Sequence, residues 1–375
     1  MYKCMEAPGP RQDMVLTEKP IPSPPPIGMV VKVKYAGVCH SDVKTWEDDI
    51  FLEEGNITRK SDFDPDYKFP IVLGHEISGT VYSLGDSENK DADTFQIGDK
   101  VVVFTFCGCT ECSFCTAGDN RWCPKMISNN IGVGKNGGFA EYVSVKNRAY
   151  VSKVPANIPM DVAPMMSCGA LTAYNGVDLV KESIKKWINW KGAATVLIIG
   201  AGGLGLWGVS LCKAVLPKET RIAVADLSSE KLESSKAIGA DITILWDLKD
   251  DTATTIEKTK KALGGLAESS IDFVGNPSTL KTAVHVSAKG ATVAVVGLFG
   301  GAATIPVPFF PMKILNVVGT YTGSTVHFKE LLEIVDKNKI VGPTIFHYKL
   351  EDVNEIFRKL KNREINGRAI LEFDD

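Results

Sequence analysis

An α/β architecture is predicted, a doubly wound parallel sheet joined to a second, β-rich domain. Three observations predict it. Residues 195–205 read TVLIIGAGGLG, an unbroken apolar and β-branched run followed by Gly200, Gly202 and Gly205 in the spacing G-x-G-x-x-G. Short apolar runs at 195–199, 221–225, 242–245, 271–274 and 292–296 alternate with helical patterns such as 229–238 and 279–287, the signature of a doubly wound sheet. Before residue 155, strands and turns follow one another closely instead. At 375 residues the chain exceeds one ordinary core, so two domains are expected.

Taken in order, residues 29–36 alternate and are rich in valine, which predicts a strand running into Gly37-Val38-Cys39-His40-Ser41-Asp42. The acidic stretch 46–69, with Gly55, Asn56 and Pro65, reads as a surface insertion, either a solvated loop or a lid over a pocket. Gly74-His75-Glu76 follows, with Gly79 and Gly85 close behind. The turn Gly98-Asp99 opens a strand at 99–106, and Gly137-Gly138 feeds another through Tyr142. Around 164–174 the character changes. Residues 195–199 suit a strand buried on both faces, and 206–215 a helix. The C-terminal part offers a strand at 317–321, amphipathic helices at 328–338 and 353–361, and a closing strand at 368–373.

Composition excludes several classes. Hydrophobic residues make up 44% and charged residues 23%, with a net charge of −3. Such a balance gives no footprint for nucleic acid, and no Lys/Arg block suits an anionic membrane surface. The first thirty residues hold no long apolar run, and no segment approaches the length of a membrane span, so a cytoplasmic location is expected. Prolines at 20–26 mark a surface linker or turn. Nine cysteines in such a chain argue for metal or catalytic use rather than disulfides.

In the glycine motif the first glycine permits a tight turn, the second lets backbone approach a pyrophosphate, and the third lets helix and strand pack closely. The helix N-terminus supplies free N–H groups and partial positive charge for phosphates. Asp226 ends the second apolar run, 21 residues past Gly205, where a carboxylate accepts hydrogen bonds from ribose hydroxyls. Its charge repels a 2′-phosphate, and no arginine follows in Leu227-Ser228-Ser229. The combination reads as an NAD(H) site rather than an NADP(H) site. The bland alternative is a glycine turn in a nucleotide-free domain, with Asp226 capping a helix.

Five of the cysteines fall at 107–123. Cys109, Cys112, Cys115 and Cys123 are spaced C-x2-C-x2-C-x7-C, so consecutive thiolates turn inward on one loop and the fourth closes a tetrahedron. Four thiolates leave no open coordination position, which makes this a structural zinc site; Cys107 is a spare thiol. Cys39, His75 and Cys168 would give a catalytic zinc three ligands and an open fourth position. Spacing alone leaves that trio open, because a lone cysteine is most often a small buried hydrophobe.

These motifs, in this order and over nearly the whole chain, resemble the zinc-containing medium-chain alcohol dehydrogenases. The resemblance implies a GroES-like β-rich catalytic domain (1–168 and 312–375) and a Rossmann cofactor domain (169–311). It implies that Cys39, His75 and Cys168 ligate a catalytic zinc, with Glu76 as an alternate ligand or a carboxylate just behind the ligands, and Asp42 orienting His75. Ser41 matches the hydroxyl that relays the alcohol proton. His40 and Arg368 match basic residues at the pyrophosphate, Thr172 and Leu204 match residues packing on the nicotinamide, and Lys231 matches a lysine at the adenosine ribose. With Gly200, Gly202, Gly203, Gly205 and Asp226, these would hold NAD.

The implied activity is oxidation of a primary or secondary alcohol to an aldehyde or ketone, with hydride passing to NAD+ from a zinc-bound alkoxide. One catalytic and one structural zinc per subunit are implied, in a homodimer or homotetramer. Sibling activities on polyol, cinnamyl-type or enone substrates, and a non-catalytic crystallin-like role, are the alternatives. The chain departs from the pattern at Lys44, where many relatives carry a relay histidine; the proton would leave through the ribose and water or through Lys44. The 46–69 insertion resembles the longer loop of archaeal relatives. Trp46 and Thr105 match pocket-lining positions and suggest a small to medium alcohol, aliphatic or aromatic.

Overall fold

The computed structural model describes residues 1–53, 56–59, 68–86 and 95–374. Of the 46–69 insertion, residues 54–55 and 60–67 lie outside the described residues, Gly55 and Pro65 among them. Within it, Asp49–Glu53 and Asn56–Arg59 pair as an antiparallel ribbon.

Six parallel strands form one sheet in the spatial order Ile242–Leu245, Thr220–Asp226, Ala194–Ile199, Ala267–Asp272, Ser287–Val295, Asn316–Gly319. Numbered along the chain this is 3-2-1-4-5-6, so strand order reverses beside Ala194–Ile199 and opens a crevice at its C-terminal end. Every residue of Ala194–Ile199 is buried, as a strand covered on both faces requires. Its five apolar side chains and the buried Thr195 anchor the sheet.

A second, seven-stranded sheet is mixed. Its path runs Val151–Lys153, Lys100–Val103, Glu76–Leu84, Met29–Val38, Arg368–Glu372, Ile345–Tyr348, and Tyr142–Val145 also pairs with Met29–Val38. The chain's last strand therefore returns to its first half, with Ala369 opposite Val38. Tyr2–Ala7, Val15–Lys19 and Ile71–Val72 make a third, small sheet. The 23-residue helix Gly169–Lys191 links the halves. Ala173, Val177, Val180 and Ile184 give it a buried stripe at helical spacing, and Gly192 closes it in a left-handed turn with φ 78°.

Several boundaries differ from expectation. The helix after the glycine motif starts at Gly203, three residues before 206, because Gly202 caps it directly out of the turn. The fourth parallel strand is Ala267–Asp272 rather than 271–274. Its polar residues hide it: Glu268 is buried and accepts from the Thr195 N–H at 2.8 Å. The strand expected at 99–106 stops at Val103, after which the chain turns toward the site. Asn316–Gly319 pairs in parallel with Ser287–Val295, which carries the parallel sheet past the boundary expected at 312. Among the described residues no helix is long and apolar enough to cross a membrane.

Candidate active site

Cys39 leaves strand Met29–Val38 and caps the helix His40–Glu47. Asp42, three residues into that cap, accepts the Cys39 N–H through Oδ2 at 2.8 Å and meets His75 Nδ1 through Oδ1 at 2.6 Å. A carboxylate accepts, so Nδ1 carries a proton toward Asp42, and Nε2 faces the sulfurs, 3.2 Å from Cys168 Sγ. Gly74 turns the chain into His75 at φ 96°, where a Cβ would also strike Phe139. The His75 carbonyl is held by Thr105 Oγ1 (2.7 Å) and Ser167 Oγ (3.3 Å). Cys168 caps the helix Gly169–Lys191 and completes the group.

Ligand atoms of Cys39, His75, Glu76 and Cys168 all lie within 4.8 Å of one another, and all four residues are buried. Arg368 donates to Glu76 Oε2, and the Gly169 N–H lies 3.3 Å from Oε1. Gly37 makes room for that carboxylate, since a Cβ there would collide with it.

Charge is shared unevenly here. A hydrogen bond with Cys168 holds the Cys39 thiol well below its ordinary pKa, against the burial that raises it. The same bond, with burial, pushes Cys168 well up. Burial favours a neutral His75, yet Asp42 and Cys39 outweigh it and raise its pKa well above the usual range. Glu76 is raised by burial, with Arg368 pulling the other way. Two sulfurs, one imidazole nitrogen and a carboxylate oxygen in a dry pocket are a donor set that fits Zn²⁺.

The four thiols of Cys109, Cys112, Cys115 and Cys123 also gather within 4.8 Å. Backbone N–H groups of Glu111 and Cys112 lower Cys109 to about 6. Burial raises Cys115 to about 12. A Cβ at Gly108 would collide with Cys115 Sγ, so the glycine lets the loop wrap its own sulfurs. Cys107 lies apart, buried, its thiol 3.4 Å from the Phe104 carbonyl.

At the crevice, Gly200 adopts φ 97°, and a Cβ at Gly205 would collide with the Gly200 carbonyl. Beyond Gly202 the space is open, at the N-terminus of helix Gly203–Val215. The Asp226 carboxylate braces this loop, accepting from Ala201 N at 2.6 Å and Ser228 N at 2.9 Å. Lys231 lies in the first turn of helix Ser229–Ala237, half-buried like Leu204 and Thr172. Arg368 runs past Gly203, whose Cβ would sit 3.1 Å from its Cδ. Among the described residues its buried Nε has no hydrogen-bond partner, the condition of a group that a phosphate would satisfy. The Arg368–Glu76 link between loop and ligand cluster escapes sequence reading, because its members are 292 residues apart.

His40 and Ser41 are exposed at the start of their helix, and Ser41 Oγ is 3.7 Å from the Cys39 sulfur. Lys44 lies 3.7 Å from Glu47, on the outer side of that helix. Trp46 donates from its indole to the Gln12 carbonyl (2.6 Å), meets Phe357 edge-on and lies under Lys361. These partners are the Gln12 carbonyl and helix Val353–Lys361. Phe106, unnoticed in the sequence, stands beside His75, though its alternation with Phe104 placed both on one face.

Residues 26–156 match the family profile "Alcohol dehydrogenase GroES-like domain", and residues 203–337 match "Zinc-binding dehydrogenase". An NAD-dependent alcohol dehydrogenase of Sulfolobus acidocaldarius is 31% identical over 349 residues, covering 92% of each chain. An alcohol dehydrogenase of Geobacillus stearothermophilus is 29% identical over 351 residues, again 92% of each. The solved structure of the alcohol dehydrogenase from Aeropyrum pernix shares the fold, with a TM-score of 0.82 at 24% identity over 99% of this chain and 100% of that one.

Proposed function

The chain belongs to the zinc-containing medium-chain alcohol dehydrogenases, and from that premise we propose that it oxidises a primary or secondary alcohol to an aldehyde or ketone with NAD+ as hydride acceptor. The observation that carries this reading is the Arg368 side chain, which donates to Glu76 of the buried donor cluster and runs past Gly203 of the dinucleotide loop, where an added Cβ would meet it. Metal donors and cofactor crevice thus share one residue, the adjacency that hydride transfer requires. A zinc ion held by Cys39, His75 and Cys168, with Glu76 as alternate ligand, would act there as a Lewis acid that lowers the pKa of an alcohol.

The remaining roles belong to the chain itself. Ser41 Oγ accepts the alcohol proton, which leaves through the ribose and water or through Lys44. Asp42 keeps the Nδ1 proton of His75 in place. His40 and Arg368 hold the pyrophosphate over Gly200, Gly202, Gly203 and Gly205. Asp226 and Lys231 take the adenosine ribose, and Thr172 and Leu204 pack against the nicotinamide. The Cys109, Cys112, Cys115 and Cys123 lobe takes a second, structural zinc. A cytoplasmic homodimer or homotetramer completes the proposal.

The test is NADH formation by the zinc-loaded protein across primary, secondary, aromatic and polyol alcohols, with NADP+ in parallel and a chelator control. Chelator-sensitive turnover with NAD+ is expected. Absence of turnover with every alcohol, in protein carrying zinc, would overturn the proposal.

A further inference from the structure

Phe106 and Tyr321 lie beside the donor cluster, and none of the roles above uses them. Phe106 is 6% exposed and meets the His75 imidazole edge-on, with centroids 6.0 Å apart. Tyr321 meets Phe106 edge-on at 5.9 Å and is 44% exposed. Three rings therefore step outward from the buried ligands to an open face.

The backbone holds this ring in place. Asn175, 2% exposed, donates through Nδ2 to Thr320 Oγ1 and to the Thr322 carbonyl, the residues on either side of Tyr321. The Thr320 N–H donates to the Val295 carbonyl at 3.1 Å. Asn175 belongs to the helix Gly169–Lys191 that Cys168 caps, so one helix positions both a ligand and the bracket around Tyr321. Thr105, in the same region, has its hydroxyl engaged by the His75 carbonyl, and Trp46 is committed to helix Val353–Lys361.

From this geometry we infer that Tyr321 is a specificity-determining residue. Its ring, backed by Phe106, is the aromatic wall of the alcohol site and favours alcohols carrying an aryl group over short aliphatic ones. The inference rests on the alcohol-oxidation reading above and adds a substrate class to it. A rigid ring with two side-chain torsions, presented beside the metal donors, gains from an edge-to-face or offset aryl partner what a propyl chain does not supply.

The experiment is calorimetric binding of benzyl alcohol and of 1-propanol to the zinc-loaded protein holding NADH, a pair that cannot react. The parent is expected to prefer benzyl alcohol. Tyr321→Ala should lower the benzyl-to-propanol affinity ratio by about 10-fold, and Tyr321→Phe should hold it within about twofold, since the ring and not the hydroxyl makes the wall. Zinc content and NADH affinity should match the parent in both. No preference in the parent, an unchanged ratio in Tyr321→Ala, or an equal loss in Tyr321→Phe each overturns the inference. Turnover of the parent on the alcohol panel separates the two ideas: oxidation without aryl preference removes only the wall, whereas neither binding nor oxidation removes both.

Discussion

Asp42 is fully buried, and its two oxygens serve different partners, the Cys39 N–H and the His75 ring. An asparagine at 42 would turn an N–H₂ toward one of those two donors, so one of the bonds must be lost whichever way the amide faces. Asp42→Asn should therefore weaken zinc binding at the His75 site by about 10- to 100-fold, read by competition with a chromogenic chelator. The far-ultraviolet dichroism should stay that of the parent. Unchanged zinc affinity would mean that the imidazole is oriented without Asp42. Asp226 offers a second single-atom test. A carboxylate about 4 Å from a 2′-phosphate is worth on the order of 1–4 kcal/mol of repulsion per charge pair between water and a protein surface. Asp226→Asn keeps one acceptor for the loop N–H groups and removes the charge. It should move the NADP+ to NAD+ ratio of kcat/KM upward by about 10-fold or more.

At the scale of elements, the four-cysteine lobe shows how little else holds its segment together. Its two longest helical pieces, Ser113–Thr116 and Met126–Asn129, have four residues each, too few to persist alone. Metal binding there is folding free energy. Cys112→Ser should lower the melting temperature by at least about 4 °C while NADH affinity is kept, and parent protein stripped of both metals by a strong chelator should melt at that lowered temperature or below it. Equal melting of mutant and parent would deny the lobe a stabilising metal.

What was legible in the sequence follows the same physics. Ile242–Leu245 and Val353–Lys361 have the bounds their periodicity predicts, because a short buried strand and an amphipathic surface helix each advertise one face. Ala267–Asp272 was not legible: its interior Glu268, Ser269 and Ser270 read as surface until Lys191 and the Thr195 N–H are seen to satisfy Glu268. Helix Thr252–Leu263 was missed for its threonines, although Asp251 caps it through the Thr254 N–H and Gly264 ends it in a left-handed turn. Helix Gly169–Lys191 hid behind Gly169, Asn175 and Gly176. In the site, Cys39 and Asp42 are read from one hexapeptide, but the bond from Asp42 to His75 and the bond from Arg368 to Glu76 need the folded chain.

For the whole molecule, the parallel sheet poses a problem that its own chain does not solve. Among the described residues, no strand lies on the outer side of Asn316–Gly319, which ends the six-stranded order. Bare N–H and C=O groups along such an edge invite a second strand. Flanking it, Leu298 is 72% exposed, Phe299 55%, Val307 76%, Met312 72% and Ile314 62%, an apolar concentration that a lone soluble chain rarely shows in 17 residues. A two-fold axis at this edge would pair Asn316–Gly319 antiparallel with its copy and cover both chains' apolar residues with one self-complementary contact. Light scattering on the zinc-loaded protein should accordingly give a mass of two or four chains. Met312→Glu combined with Ile314→Lys places charges inside that contact and should shift the mass to one chain at micromolar concentration, with dichroism unchanged. A parent that scatters as a single chain would mean that water alone covers the edge. A double variant that keeps the parent's mass would move the contact to another face.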